Sequence, residues 1–333
     1  GSLKEQTRKT RGLHKSHGVI RISHGGTKVP VRWEDYLSVT QNKKNLVIFL
    51  KSLVDELAVK EILLQGESLT CGGKTTHEEA DTMIVQAMHG CLNKYRRFYV
   101  FAEDTDVFLL LIHFMHKWQI AGLKVYMICG QRYLPLHEFI SILGDRCGKL
   151  LGMHVLTGCD TVNSVYGVSK PKAYKKLGHE ILAAVGSSFN TLPSMNDIVA
   201  YFYDLYGMEG FQGTMNQLRY KLSAERSLSE ESLPPSDTTL LGHLRRANYQ
   251  AAIWRQADQV NMCLPSPLLH GWIECDRVLV PNYEMEAAPD HEKLTIRCAC
   301  RGACANAKCS CRRHELVCAD MCKCSDGCLN REQ

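Results

Sequence analysis

Nine of the chain's sixteen cysteines fall in one short stretch, at Cys298, Cys300, Cys304, Cys309, Cys311, Cys318, Cys322, Cys324 and Cys328. An odd number cannot pair completely as internal disulfides, and separate four-cysteine zinc sites would leave one thiol unused. Three tetrahedral ions require twelve thiolate bonds, which nine sulfurs supply if six bind one ion and three bridge two. The expectation is a Zn3Cys9 cluster, three structural zinc ions held by all nine residues. The repeated Cys-x-Cys pairs suit it, because thiolates one residue apart reach adjacent ions of a compact triangle. A metallothionein-like store is the alternative, and one fixed cluster makes a poor buffer.

A second group is acidic: Glu79 and Asp81 in "HEEAD", Asp104 and Asp106 in "AEDTD", and Asp160 in "LTGCDTVNSVYG". Five carboxylates converging on one edge repel one another unless a divalent cation neutralises them, and Mg2+ or Mn2+ fits such hard oxygen ligands. Two such ions activate a water and stabilise the leaving oxygen of a phosphodiester. Each acid also has a structural alternative. Thr75 with Glu78, or Thr76 with Glu79, spells a capping box, Asp104 or Asp106 suits a helix N-cap, and Asp160 suits an Asx turn.

These side chains need a scaffold to position them. The chain has 333 residues, is 45% hydrophobic and 23% charged, and its longest apolar candidate, "VFLLLI" from Val107 to Ile112, is far too short to cross a bilayer. No membrane association is expected. "NLVIFLKSLVDELA" has helical spacing and "EILLQG" reads as a strand; "HEEADTMIVQAMHG" follows as helix, "FYVFA" as strand, "DVFLLLIHFMHKW" as helix and "LKVYMIC" as strand. The alternation predicts an α/β fold, a parallel sheet covered by helices on both faces. In that layout Asp104 and Asp106 end a strand at the sheet's carboxyl side, where open α/β sheets take ligands.

From about residue 136 the strand signals fade. "KPKAYKKLGHEILAAV", "MNDIVAYFYDLYG" and "TTLLGHLRRANYQAAIWRQA" read as helices, the last behind the stop "LPPSD" and with Leu240, Leu241, Leu244, Ala247, Ala251 and Trp254 as its packing stripe. "CLPSPLLHGW" and "EAAPDHEK" read as linkers. The predicted organisation is a basic arm over 1–44, an α/β domain over 45–185, a helical extension over 186–262, a linker over 263–296 and a cysteine module over 297–330. The opening Gly1-Ser2 without an initiator Met reads as a cloning scar on a fragment of a longer protein.

"HEEAD", "EDTDVFLLL" and "LTGCDTVNSVYGVSKPKAYKKL" resemble, in order and separation, the acidic motifs of the PIN-like flap-endonuclease superfamily. The resemblance covers roughly residues 60–180. It implies a PIN-like sheet sandwiched by helices, phosphodiester hydrolysis with Mg2+ or Mn2+, and Glu79, Asp81, Asp104, Asp106 and Asp160 as metal ligands, directly or through water. Two features depart from that pattern. The family takes further acids from an N-terminal strand and from a Phe-Asp-Gly element, which here would lie upstream of "SLKEQTRKTR". The Gly-rich helical hairpin is represented by "YGVSKPKAYKK", which keeps Gly167 and lacks the second glycine. The cysteine stretch, ending in "CLN", is similar to the CXC modules of tesmin-type proteins and to pre-SET zinc clusters, and no segment resembles a SET domain. CXC modules in several families bind DNA. A mobile-element origin is one expectation of the pairing.

The net charge of +5 conceals a local balance of +7 over residues 1–32, suited to a phosphate backbone or to a solvated tail. Lys170, Lys172, Lys175 and Lys176, and Arg312 and Arg313 beside His314, are the further candidates for nucleic-acid contact. The expected partner is nucleic acid, DNA ahead of RNA. The seven scattered cysteines, without paired spacing, read as free thiols of a reducing compartment, so an intracellular, nuclear location is expected. His89, His113, His116 and His137 lack partnered cysteines and read as core or surface residues. No Walker, Gly-x-Ser-x-Gly or Gly-x-Gly-x-x-Gly element appears. Two function classes remain: a metal-dependent nuclease, and a catalytically inactive PIN-like protein that binds DNA or acts as a scaffold.

Overall fold

The computed structural model describes residues 18–22, 24, 26–28, 33–37, 39, 41–46, 48–49, 76–226, 232–276, 278–282, 296–318, 322–325 and 327–331. The expected strand "EILLQG" and most of the expected helix over 45–58 lie outside these residues. What is described is a mixed α/β chain with two small sheets, about ten helices and a cysteine-rich C-terminal cluster.

After a short α1 (Trp33–Leu37), α2 (Ala80–Cys91) leads into β1 (Arg97–Phe101), α3 (Thr105–Trp118), β2 (Lys124–Cys129) and β3 (Arg132–Pro135). β1 and β2 are parallel, with Tyr99 opposite Tyr126, and α3 is the crossover between them. This is the βαβ unit that the sequence predicted. The all-parallel sheet is corrected, because β3 pairs antiparallel to β2, with Cys129 opposite Arg132. Gly130 and Gln131 make the tight turn, and a four-residue strand inside "GQRYLPL" has too little alternation to announce itself.

α3 is the hub of the core. Asp104 caps its start by accepting a hydrogen bond from Asp106 N at 2.9 Å, which satisfies one of the orphan donors of a helix N-terminus. Its apolar residues at three- and four-residue spacing, Val107, Leu110, Leu111 and Phe114, are buried. Against it packs α5 (Cys147–Leu156), which follows α4 (Leu136–Leu143). α5 also packs on α7 (Ile181–Ala184), which α6 (Lys170–Tyr174) precedes, and on α10 (Asp237–Trp254). Gly152 permits the contact with α7, since a Cβ there would stand 2.0 Å from the Leu182 carbonyl oxygen. The single helix expected over 170–185 is thus two short ones, interrupted around Gly178.

α8 (Met195–Leu205) and α9 (Met215–Arg226) complete the helical half. Residues from Val85 to Ala257 form one continuous apolar core, so the helices after 186 share the core of the α/β part. In α10, Ser236 is the N-cap, accepting from Thr239 N, and the expected stripe is buried at Leu240, Leu244, Ala247, Ala251 and Trp254, with Leu241 half-buried. The expected linker over 263–296 is corrected in its first half. β4 (Trp272–Cys275) and β5 (Val278–Pro281) form an antiparallel hairpin there, and Trp272 is buried. No described helix is long and apolar enough to cross a membrane.

Candidate metal centre and acidic edge

Among the described residues, the C-terminal module has no core of aliphatic or aromatic side chains of its own. Its interior is sulfur: Cys298, Cys304, Cys309, Cys311, Cys318, Cys322, Cys324 and Cys328 are buried, with Cys300, Ile296 and Leu316 packed against them. None of the nine is in a disulfide. The only helix described there is α11 (Ser310–Arg313). Backbone bonds from Lys323 N to Cys298 O, Leu329 N to Ala303 O and Cys318 N to Asn330 O cross the loops, while Asn330 Nδ2 donates to Leu316 O at 2.8 Å.

Three sets of four cysteines bring their Sγ atoms within 4.8 Å of one another: 298, 311, 318 and 322; 298, 304, 309 and 318; and 304, 318, 324 and 328. Sulfurs bound tetrahedrally at a Zn–S distance of ~2.3 Å stand ~3.8 Å apart. The Sγ separations are 3.7 Å for Cys298–Cys304, 3.8 Å for Cys298–Cys318 and Cys309–Cys318, and 3.5 Å for Cys311–Cys322. The spacing fits zinc ligands and is far too long for disulfides. Burial raises the thiol pKa of Cys311 to about 12 and that of Cys298 also upward, so a cation must drive their ionisation. Cys304 adopts a positive φ of 51°, which a ligand bond can hold in place. These clusters can hold zinc ions. Cys300, half-buried, belongs to none of the three sets.

The acids are held differently. Glu79 occupies the N-cap position of α2 without capping it, and its Oε2 accepts from Trp254 Nε1 at 3.2 Å. The capping box with Thr76 does not form, because Thr76 Oγ1 bonds to the backbone of Met262. Asp81 is buried in the first turn of α2. Asp104 caps α3 and is exposed, whereas Asp106 is buried, its Oδ1 2.7 Å from His154 Nε2. His154 in turn stacks on Trp254, with ring centroids 6.0 Å apart. Asp160 is half-buried in the bend after α5. The chain Glu79–Trp254–His154–Asp106 thus links the starts of α2 and α3 through side chains. Among the described residues, no three carboxylate or histidine ligand atoms lie within 4.8 Å of one another. Beside Glu79 a cleft of about 30 Å³, the size of one water, is lined by Glu78, Thr82 and Gln250.

The lysines are mostly engaged within the protein. Lys170 Nζ donates to His154 O at 2.6 Å, Thr157 Oγ1 at 2.8 Å and Gly158 O at 2.5 Å. An ammonium has three donors, so this residue caps the C-terminus of α5 and has none left for a phosphate. Burial lowers its pKa to about 8, against the opposing pull of Cys159 and Asp106. Lys172 donates to Gly167 O at 3.2 Å, Lys176 pairs with Glu209, and Lys175 is exposed. Arg312 and Arg313 are exposed and steady the neighbouring loop by donating to Ala305 O and Ala307 O. Their remaining donors point to no described partner.

Sequence reasoning treated Trp254 as a packing residue and did not reach His154. Both act through partners 48 and 175 residues away in sequence, and no local signal marks such pairs. Comparison with protein families, with curated proteins and with solved structures returns no match.

Proposed function

We propose that this is a zinc-cluster nucleic-acid protein: a PIN-like body, resembling the flap-endonuclease superfamily, joined to a CXC module that three zinc ions hold together. The observation that carries the zinc part is the sharing of ligands among the three cysteine sets. In the arrangement that uses every sulfur, Cys298 bridges the first and second ions, Cys304 the second and third, and Cys318, which belongs to all three sets, the first and third. Cys311 with Cys322, and Cys324 with Cys328, are then terminal ligands. With Cys318 given to the first and third ions, the second ion keeps Cys298, Cys304 and Cys309 and takes its fourth ligand from Cys300, the one cysteine outside all three sets, so every sulfur of a Zn3Cys9 cluster is used.

The module's role in this reading is to present Arg312 and Arg313 on a rigid support to DNA, ahead of RNA, in the nucleus. The body binds without catalysis. Each of Glu79, Asp104 and Asp106 already has a hydrogen-bond partner in the protein, which favours retained acids in structural roles.

Hydrolysis is the second reading, favoured by Asp104 and Asp106 following β1 beside a parallel crossover, the usual ligand edge of open α/β sheets. Glu79, Asp81, Asp104, Asp106 and Asp160 would hold Mg2+ or Mn2+. The ions would supply Lewis-acid charge and an activated water for phosphodiester cleavage. One experiment separates the two. Labelled flap, duplex and single-stranded DNA are incubated with Mn2+ and either the wild type or the Asp104→Asn, Asp106→Asn double variant. Binding that survives the substitutions without cleavage supports the first reading, and cleavage abolished by them establishes the second. Absence of binding to any substrate at low salt overturns both.

A further inference from the structure

The three-stranded sheet has two unlike faces. Alternation along β1 turns Phe98 and Val100 toward the core and Arg97, Tyr99 and Phe101 outward. The register carries that pattern across the sheet, with Arg97 opposite Lys124, Tyr99 opposite Tyr126, Phe101 opposite Ile128, and Ile128 opposite Tyr133. Tyr99 and Tyr126 stack with centroids 5.3 Å apart at an interplanar angle of 16°. Tyr99, Phe101 and Tyr133 are 52%, 77% and 64% exposed. Soluble proteins seldom leave contiguous aromatic surface to water without a use for it.

We propose that this outer face is a stacking platform for single-stranded nucleic acid. Bases lie on Tyr99, Phe101 and Tyr133, and backbone phosphates meet Arg97 and Lys124. Charge decides the occupant: both cations are exposed at one end of the aromatic rows, complementary to a polyanion. A purely apolar partner would have to desolvate them and the tyrosine hydroxyls. Aromatic faces combined with a few cations are the elements by which single strands are bound without sequence preference. The rows also run from that basic end to the acidic edge at Asp104, so a strand laid along β1 reaches the candidate carboxylates. The proposal rests on the nucleic-acid reading above but not on cleavage.

The test is fluorescence anisotropy of labelled oligo-dT and oligo-rU with the zinc-loaded chain, without added Mg2+ or Mn2+. Tyr99→Ala with Phe101→Ala is expected to weaken binding about 10- to 100-fold. Tyr99→Phe, which keeps the ring, should leave it within about twofold. Arg97→Ala with Lys124→Ala should flatten the slope of log affinity against log salt by about 1.4, the value for two phosphate contacts on a single strand. Tyrosine nitration supplies a readout independent of folding: Tyr99 and Tyr133 are modified in the free protein and protected by oligo-dT. Wild-type affinity in the alanine variant overturns the platform while leaving the nucleic-acid reading intact, as does a face already shielded in the free protein. A wild-type chain that binds neither oligonucleotide nor duplex overturns both.

Discussion

His154 Nε2 and Asp106 Oδ1 meet at 2.7 Å with both side chains less than a tenth exposed, and this contact joins α5 to the first turn of α3. His154→Leu leaves a buried carboxylate without this partner and should destabilise the chain by ~3 kcal/mol. In a double-mutant cycle read by urea denaturation, Asp106→Leu combined with His154→Leu should recover most of that loss. A cycle that is additive within ~0.5 kcal/mol would show that the pair is not coupled.

Acid sensitivity follows from two other histidines. Burial lowers the pKa of His243 to about 4, against the Leu156 carbonyl that pulls it upward, and lowers that of His113 to about 3, helped by Arg255 and Lys117. Both are neutral in the folded chain near pH 6, while their unfolded counterparts begin to protonate at about 6.5. The unfolded state therefore binds more protons, and stability should fall as pH drops from 6.5 towards 4 for His243 and towards 3 for His113. The slope approaches about 1.4 kcal/mol per pH unit per histidine. His113→Leu, which also removes a buried Nδ1 without a partner, should reduce that slope in urea titrations across the range.

Ligand sharing predicts unequal costs within the cluster. Native mass spectrometry of the wild type should find three zinc ions per chain. Cys304→Ser, at a proposed bridge, should release two or more, while Cys322→Ser, at a terminal position, should release one at most. Equal losses in the two variants would reject the proposed bridging pattern.

Gly158 sits at φ 105°, and a Cβ there would stand 2.5 Å from Ser164 Cα. Gly158→Ala should cost about 2 kcal/mol or more through backbone strain and overlap in the turn that carries Asp160. The melting temperature should drop by at least about 4 °C, and an unchanged melt would show that the turn relaxes freely.

Legibility in the sequence followed the range of the interactions involved. The apolar period of "DVFLLLIHFMHKW" and the Ser236-Asp237 start of α10 are local signals, and both helices form where they were expected. The cysteines were legible because metal ligation depends on residue type and count, both visible in one dimension. β3 and the hairpin of β4 with β5 were missed because four-residue strands take their stability from neighbours. The bonds of Lys170 were not legible for a similar reason: a lysine after a turn looks the same whether it faces water or the carbonyl end of α5, and only the packing of that helix decides.

The shared cysteines also govern when the module can be built during synthesis. Cys298 and Cys304 emerge from the ribosome well before Cys324 and Cys328, yet under the proposed bridging pattern the third ion cannot be enclosed until those last two thiols follow. The ligands of the second ion are complete at Cys309 and those of the first at Cys322, so the cluster closes in order along the chain. Assembly is then sequential, and a chain ending before Cys324 would hold two enclosed ions with the second bonds of Cys304 and Cys318 still unused.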